Sequence, residues 1–152
     1  MNLKDFREKF EIDNLAIKEY SHWTVSVRPK QVTLSSLIIS LNRTCESLSE
    51  LHNDETRELS LIFKEIEKIM CKWVSFEKIN YLALMMVDDF VHFHVIPRYN
   101  GSRSFELKSF HDHNWPKHPL NLDDGVTDPI ILKKIKEKII SELTILTQEQ
   151  EG

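Results

Sequence analysis

Two histidines lie two residues apart in the segment 91–99, inside a run of apolar and β-branched residues. Because side chains alternate faces along an extended strand, His92 and His94 should share one face with Phe90 and Ile96. The other face would then be wholly apolar, with Val91, Phe93 and Val95. Paired imidazoles on one strand face indicate phosphate or metal chemistry, so we predict that this face carries a site and the other joins the core.

The composition fits one globular domain. With 152 residues, 41% of them hydrophobic, the chain can bury a substantial core. We predict a single domain over residues 1–147 and a frayed tail over residues 148–152. The formal charge of −4 argues against a nucleic-acid-binding protein, whereas a phosphorylated small molecule needs only a local cationic pocket.

The cysteines and the hydropathy pattern indicate a compartment. Cys45 and Cys71 are too few for a disulfide scaffold and lack the spacing of a cysteine zinc site. Residues 1–7 are charged rather than apolar, and no apolar run reaches membrane-spanning length. We therefore expect a cytoplasmic protein without a membrane partner.

The elements before the histidine strand are predicted from periodicity. A short helix is expected over residues 3–10, and residues 37–41 read as a strand after a loop over residues 30–36. Residues 23–27 predict an earlier, half-buried strand that ends before Pro29. Its apolar and polar side chains alternate: Trp23, Val25 and Val27 against Thr24, Ser26 and Arg28.

The clearest helix should begin near Asn53 and run to about Lys72, because acidic residues follow a capping side chain at its start. Its apolar stripe recurs at spacings of three and four: Leu59, Ile62, Phe63, Ile66, Ile69, Met70 and Trp73. The opposite, charged face is expected to be solvated: Lys64, Glu65, Glu67 and Lys68.

The rest of the chain completes an α+β fold. Residues 78–87 predict an apolar strand that turns at Asp88-Asp89 into the histidine strand as an antiparallel hairpin. Residues 99–125 read as irregular structure. Thr127 is the predicted N-cap of a final amphipathic helix, whose apolar residues are Ile131, Ile135, Ile139 and Leu143.

The segment His92-Phe93-His94-Val95-Ile96-Pro97-Arg98, preceded by a strand that contains Asn80, resembles the signature of the histidine triad (HIT) superfamily. The family pattern is three histidines that alternate with apolar residues. The resemblance is closest to bacterial proteins described as diadenosine-polyphosphate hydrolases. It implies a five-stranded antiparallel sheet with one long helix against it, a homodimer, and cleavage at a nucleotide α-phosphate without a cofactor.

The resemblance also implies roles for individual residues. His92 matches the middle histidine, which is the nucleophile, and His94 matches the third. The first histidine position is Phe90. For the α-phosphate charge we predict contacts from His94 and Asn80, with Arg43 and Arg98 as further substrate-binding candidates.

Two other family positions differ as well. Thr44 stands where many members have a further histidine, and Met86-Val87-Asp88 stands at the Gly-Gln-Ser/Thr element that supplies phosphate donors.

Three hypotheses follow. The first is a HIT-type hydrolase of dinucleoside polyphosphates or nucleoside phosphoramidates that acts through His92. The second is a HIT-fold protein that binds a nucleotide or phosphate with little turnover, which the differences from the family pattern motivate. The third is a metal-binding protein that uses His92 and His94, with further ligands from a loop that folds back over the strand: His111, Asp112, His113 and His118.

Overall fold

A computed structural model describes residues 1–125 and 128–151 of the chain. Five antiparallel strands form the main sheet in the order β1-β2-β3-β5-β4. Their bounds are β1 Ala16–Glu19, β2 Trp23–Val27, β3 Leu37–Leu41, β4 Lys78–Leu82 and β5 His92–Arg98. The helices are α1 Leu3–Lys9, α2 Ile12–Leu15, α3 Asn53–Trp73 and α4 Pro129–Glu151, with a 3₁₀ turn at Leu48–Glu50. The fold is thus α+β, with a five-stranded sheet, a central helix and a C-terminal helix, as expected.

The main core lies on one face of the sheet. Val25 of β2 and Val95 of β5 project from that face and pack against the apolar stripes of α3 and α4. The rings of Trp23 and Phe63 contact Phe93 at centroid distances of 6.0 Å each. The predicted apolar side of the histidine strand is therefore a core face.

Two strand predictions need correction. The strand expected over residues 78–87 ends at Leu82, and residues 83–91 form an irregular loop in which Met85 has a φ of 44°. Leu84, Met86 and Val87 are 52%, 78% and 84% exposed, so their apolar character marks a surface loop and not a buried strand.

The region expected to be irregular contains a second, separate hairpin, β6 Ser102–Phe105 and β7 Lys108–His111. Its turn residues Glu106 and Leu107 both have positive φ, of 51° and 63°. Such turns usually carry Asn-Gly or Asp-Gly, which explains why no hairpin was predicted here.

The ends of the chain also differ from expectation. Strand β1 was not predicted, because it is four residues long and its register shifts between Ala16 and Lys18. Helix α4 continues through residues 148–151, which the tail prediction placed outside the domain. The predicted N-cap Thr127 and the last residue, Gly152, lie outside the described residues. None of the described helices is long and apolar enough to cross a membrane, and both cysteines are free.

Candidate functional site

The two histidines lie side by side on β5, an interior strand of the main sheet. Strand β5 pairs with β3 so that Ser40 faces His92 and Ile38 faces His94. The two imidazole centroids are 4.9 Å apart and the rings are nearly perpendicular, at 81°. Both side chains are almost fully buried, at 2% and 6% exposure.

His92 is oriented by a backbone carbonyl. Its Nδ1 lies 2.6 Å from the oxygen of Phe90. Because a carbonyl oxygen can only accept, Nδ1 must carry the proton, and the lone pair of the neutral ring is on Nε2. Burial lowers the pKa of His92, and the hydrogen bond to Phe90 and the charge of Asp88 oppose only part of this effect. The ring is therefore neutral at pH 7 and its Nε2 is a free base.

His94 has the opposite tautomer. Nε of Arg28 lies 3.1 Å from His94 Nδ1, and because a guanidinium can only donate, Nδ1 must be the acceptor. The proton of the neutral imidazole is then on Nε2. Burial, assisted by the positive charge of Arg28, lowers the pKa of His94 to about 3. The pair thus offers one unprotonated and one protonated Nε2.

Both histidines line a cavity of about 270 Å³ between α1, the loop 83–91 and the loop around residue 122. Its polar part contains Lys9, Arg28, Asp88 and Asp123 besides the histidines, and its apolar part contains Phe10, Leu84, Met85, Met86, Val87 and Leu122. Lys9 Nζ lies 2.7 Å from Asp88 Oδ1, so this ion pair joins α1 to the loop 83–91. Asp88 is thereby neutralised and does not present an unpaired negative charge to the cavity.

Two phenylalanines of the N-terminal segment cover the histidines. Phe6 packs edge-on against His92 at a centroid distance of 5.1 Å, and Phe10 lies 5.6 Å from His92 and 6.0 Å from His94. Phe6 also packs on Phe90, in a small apolar cluster with Ile12. Phe90 thus belongs to the packing of α1 and α2 on this face of the sheet.

Asn80 and Arg98 lie on the same face of the sheet but line a different groove, together with Trp115 and His118. Arg98 forms a two-point ion pair with the buried Asp112, at 2.7 and 3.0 Å, and donates to Asn80 Oδ1 at 2.9 Å. Burial alone would raise the pKa of Asp112, but hydrogen bonds from Arg98 and from the Tyr99 amide lower it overall. Arg98 therefore ties the loop after β7 to the sheet.

Arg43 does not reach the cavity. It forms a two-point ion pair with Glu55 near the start of α3, at 2.7 and 2.9 Å, and donates to the carbonyl of Glu50. The hydrogen bond from Arg43 lowers the pKa of Glu55 to about 2. The pair joins the end of β3 to α3, so its geometry is that of a structural contact.

The loop histidines are not gathered around His92. His111 and His113 line a separate cavity, with Ser102 Oγ 2.9 Å from His111 Nδ1, and His118 lies in the groove of Asn80. Within residues 1–125 and 128–151, no three histidine, cysteine or acidic side chains are close enough to hold a metal ion. The additional ligands that the metal hypothesis needs are therefore not assembled.

Sequence reasoning missed Arg28, Lys9 and Phe10 as residues of the cavity. Arg28 had a usable signal, because it ends the polar row of Thr24 and Ser26 on a strand that the fold places two strands from β5. Lys9 and Phe10 had none, since the position of α1 on the sheet depends on tertiary packing.

No family model matches the chain, and no curated protein does either. Several solved structures are similar to it. A histidine triad protein from Sinorhizobium meliloti superposes with a TM-score of 0.70 at 21% identity, over 89% of this chain and 93% of that one. A histidine triad protein from Marinobacter aquaeolei superposes with a TM-score of 0.69 at 18% identity, over 90% of this chain and 94% of that one. A hypothetical histidine triad nucleotide-binding protein from Sulfolobus tokodaii superposes with a TM-score of 0.69 at 17% identity, over 87% of this chain and 85% of that one.

This chain has the histidine triad fold. The expectation that the resemblance raised about architecture is confirmed, because the matches extend over most of each chain. At these identities the likeness concerns the fold, and the chemistry at the two histidines of this chain depends on its own residues.

Proposed function

We propose that the protein is a HIT-type nucleotide hydrolase or transferase in which His92 attacks the α-phosphorus of a dinucleoside polyphosphate or a nucleoside phosphoramidate. The observation that carries the proposal is the pair of opposite tautomers. His92 Nδ1 donates to Phe90 O and His94 Nδ1 accepts from Arg28, so a basic Nε2 and an acidic Nε2–H lie on neighbouring rings. A nucleophile next to a phosphate donor is what nucleotidyl transfer requires.

The chemistry proceeds in two displacements. The Nε2 lone pair of His92 forms a bond to the α-phosphorus, and the bond from phosphorus to the leaving oxygen or nitrogen breaks with its electron pair. A leaving nitrogen takes up a proton from solvent with that electron pair. Water then attacks the nucleotidyl-histidine, the phosphorus–nitrogen bond breaks, its electrons return to Nε2, and a water proton goes to solvent. The Phe90 carbonyl stabilises the imidazolium character of the intermediate through Nδ1–H.

The substitution of the first histidine position by Phe90 leaves this orientation intact. The acceptor that fixes His92 is the backbone oxygen of residue 90, which any amino acid supplies. What the substitution removes is one imidazole, and its place is taken by apolar packing against Phe6.

The lining of the cavity supports a nucleotide as the ligand. The polar part carries His92, His94, Arg28 and Lys9, while Phe10 and Leu84 form part of an apolar wall. A phosphate fits the first set and a base fits the second, because bases favour contact with apolar and aromatic side chains. This assignment agrees with the similarity to the Sulfolobus tokodaii protein, a hypothetical histidine triad nucleotide-binding protein.

The test is release of AMP from diadenosine tetraphosphate and from an adenosine phosphoramidate, with and without chelator. We expect His92→Gln, which keeps a donor near Phe90 O, to lower the rate by at least about a thousand-fold, as removal of a nucleophile typically does. His113→Ala removes an exposed histidine outside the cavity and should have no effect. Equal AMP release by wild type and His92→Gln would refute the proposal, and loss of activity with chelator would refute the metal-free mechanism.

A second candidate function is nucleotide binding with little turnover. The observation that favours it is the charge balance of the cavity, where Lys9 and Arg28 are accompanied by Asp88 and Asp123. Calorimetric titration with AMP distinguishes the two functions: binding without any AMP release from either substrate would favour this second reading.

A further inference from the structure

The hydrogen bonds of the buried Arg28 divide between two edges of its guanidinium. Nη1 donates to the carbonyl oxygens of Lys30 and Leu122, at 2.9 and 2.5 Å, which fixes the plane of the group. Nε donates to His94 Nδ1 at 3.1 Å. In a guanidinium Nε–H and Nη2 share one edge, so Nη2 is on the side of His94. Among the described residues, Nη2 has no hydrogen-bond partner.

The charges around Arg28 leave this edge available to an anion. Lys9 is paired with Asp88 across the cavity, and both histidines are neutral. The remaining charged group is Asp123, whose effect on the pKa of Arg28 is weaker than that of burial. Arg28 is 6% exposed, so it is a desolvated cation with two of its donors unused.

We propose that Arg28 is a phosphate-binding and positioning residue of the cavity. Its Nε–H holds His94 with the proton on Nε2, and its Nη2 donates to the phosphate that His94 Nε2–H also contacts. The proposal rests on the proposed function and deepens it, because it names the group that offsets the phosphate charge in a chain with Phe90 and without the Gly-Gln-Ser/Thr element. A lysine could not do both, since a single ammonium lacks the paired donors of a guanidinium.

The positioning role is tested first, by nitrogen-15 NMR of the histidine rings in the wild-type protein. We expect His94 to be protonated on Nε2 and to remain neutral at pH 5. In Arg28→Met the hydrogen bond and the positive charge are both lost, so the pKa of His94 should rise by about one unit or more. A proton on Nδ1 of wild-type His94 would overturn the proposal without the use of any variant.

The phosphate role is tested by calorimetry with AMP and with adenosine. We expect Arg28→Met to weaken the binding of AMP at least about ten-fold, since a charge-assisted hydrogen bond is lost. The affinity for adenosine, which has no phosphate, should be unchanged. Arg28→Lys should recover part of the AMP affinity and provides a second variant if Arg28→Met does not fold. The matched control is Arg57→Gln, which replaces an exposed arginine on α3 and should bind AMP with the wild-type affinity.

Two binding results would overturn the proposal. One is an AMP affinity within about two-fold of wild type in folded Arg28→Met or, where that variant does not fold, in Arg28→Lys. The other is an absence of AMP binding by the wild type. Failure of the hydrolase proposal has a different signature, because AMP would then bind in an Arg28-dependent way while neither substrate is cleaved.

Discussion

At the scale of single residues, the hydrogen-bond partners give the two imidazoles different roles. A carbonyl acceptor forces His92 to keep its proton on Nδ1, and a guanidinium donor forces His94 to keep its proton on Nε2. Burial removes both rings from water, which lowers their pKa values and keeps both rings neutral. An unprotonated Nε2 and a protonated Nε2 are thus produced from one residue type by hydrogen-bond partners that lie in different parts of the fold.

The neutral histidines should make stability depend on pH. In the unfolded chain each ring takes up a proton near pH 6.5, whereas in the folded protein His94 does so only near pH 3, and His92 also below its usual value. Between these values the unfolded state binds more protons. The contribution of the two neutral rings to the free energy of unfolding is therefore fully present above about pH 6.5. It is lost as the pH falls, by up to about 1.4 kcal/mol per pH unit for each histidine.

Urea unfolding at pH 7.5, 6.5 and 5.0 measures this dependence. The window stops at pH 5.0 because protonation of Glu55 and Asp112, whose pKa values are also lowered, acts in the same direction at lower pH. The double variant His92→Gln/His94→Gln should show a flatter profile over this range. A slope equal to that of wild type would contradict the assignment of the dependence to the two rings.

The site was only partly predictable from single residues. The spacing of His92 and His94 predicted a shared face, and alternation along β2 placed Arg28 on a polar row. The partner of a charged residue is not encoded in such spacing, however. Arg43 pairs with Glu55 and Arg98 with Asp112, contacts that join elements distant in sequence and that only the folded chain reveals.

At the scale of elements, α1 determines how far the histidine face is open. It is capped by Asn2, whose side chain accepts from the Asp5 amide, and it is anchored by the fully buried Phe6. Its other attachment is the ion pair of Lys9 with Asp88. A short helix has little stability of its own, so its position depends on these tertiary contacts.

Phe6→Ala should therefore loosen the cover. Loss of a buried phenylalanine typically lowers the free energy of unfolding by about 3 to 5 kcal/mol, and part of that loss here should appear as local release of α1. We expect His92 to react faster with diethyl pyrocarbonate, measured by mass spectrometry of the peptide that contains it. The exposed Lys4→Ala on the same helix is the control. Unchanged reactivity of His92 in Phe6→Ala would show that α1 does not limit access.

Periodicity predicted the long elements and failed on short or twisted ones. Helix α3 follows from its stripe, β2 from alternation, and β3 and β5 from runs of apolar and β-branched residues. The hairpin β6–β7 turns through two residues of positive φ that are not glycine or asparagine, and the loop after Leu82 is apolar yet exposed. In both cases the observed conformation departs from the local preference that a sequence pattern reports.

At the scale of the molecule, the order of the strands places the site. Strand β5 lies between β3 and β4, although a long helix separates β3 from β4 in the chain. This order places the histidines on an interior strand next to the edge strand β4, where α1 and the loops enclose them. Alternation and helical stripes predict strands and helices but not the order of the strands in the sheet. The expectation of a five-stranded antiparallel sheet came from the resemblance to HIT proteins, and the structure confirms it.

The same order makes β1 and β4 the edge strands of the main sheet, and β4 is the edge that we assign to a second copy of the chain. Strand β4 pairs only with β5 among the described strands, and an unpaired edge offers backbone donors and acceptors. We expect a homodimer, since symmetric pairs are the commonest soluble assemblies, and sedimentation velocity should then give twice the 18.0 kDa of the chain.

The amide of Leu41 donates to Val91 O, so the odd-numbered residues of β5 bond to β3 and its even-numbered residues bond to β4. Ile79 lies opposite Pro97, an odd-numbered residue, so the N–H of Ile79 points outward from the edge of the sheet. If β4 pairs with β4 of the second copy, Ile79→Pro removes a donor from that pairing and should raise the dimer dissociation constant at least about ten-fold, whereas Ile79→Val keeps the donor and should not. Because Ile79 lies outside the histidine cavity, AMP affinity should be the same in both variants. A monomeric wild type at micromolar concentration would contradict the dimer, and a dimer that is insensitive to Ile79→Pro would place its interface elsewhere.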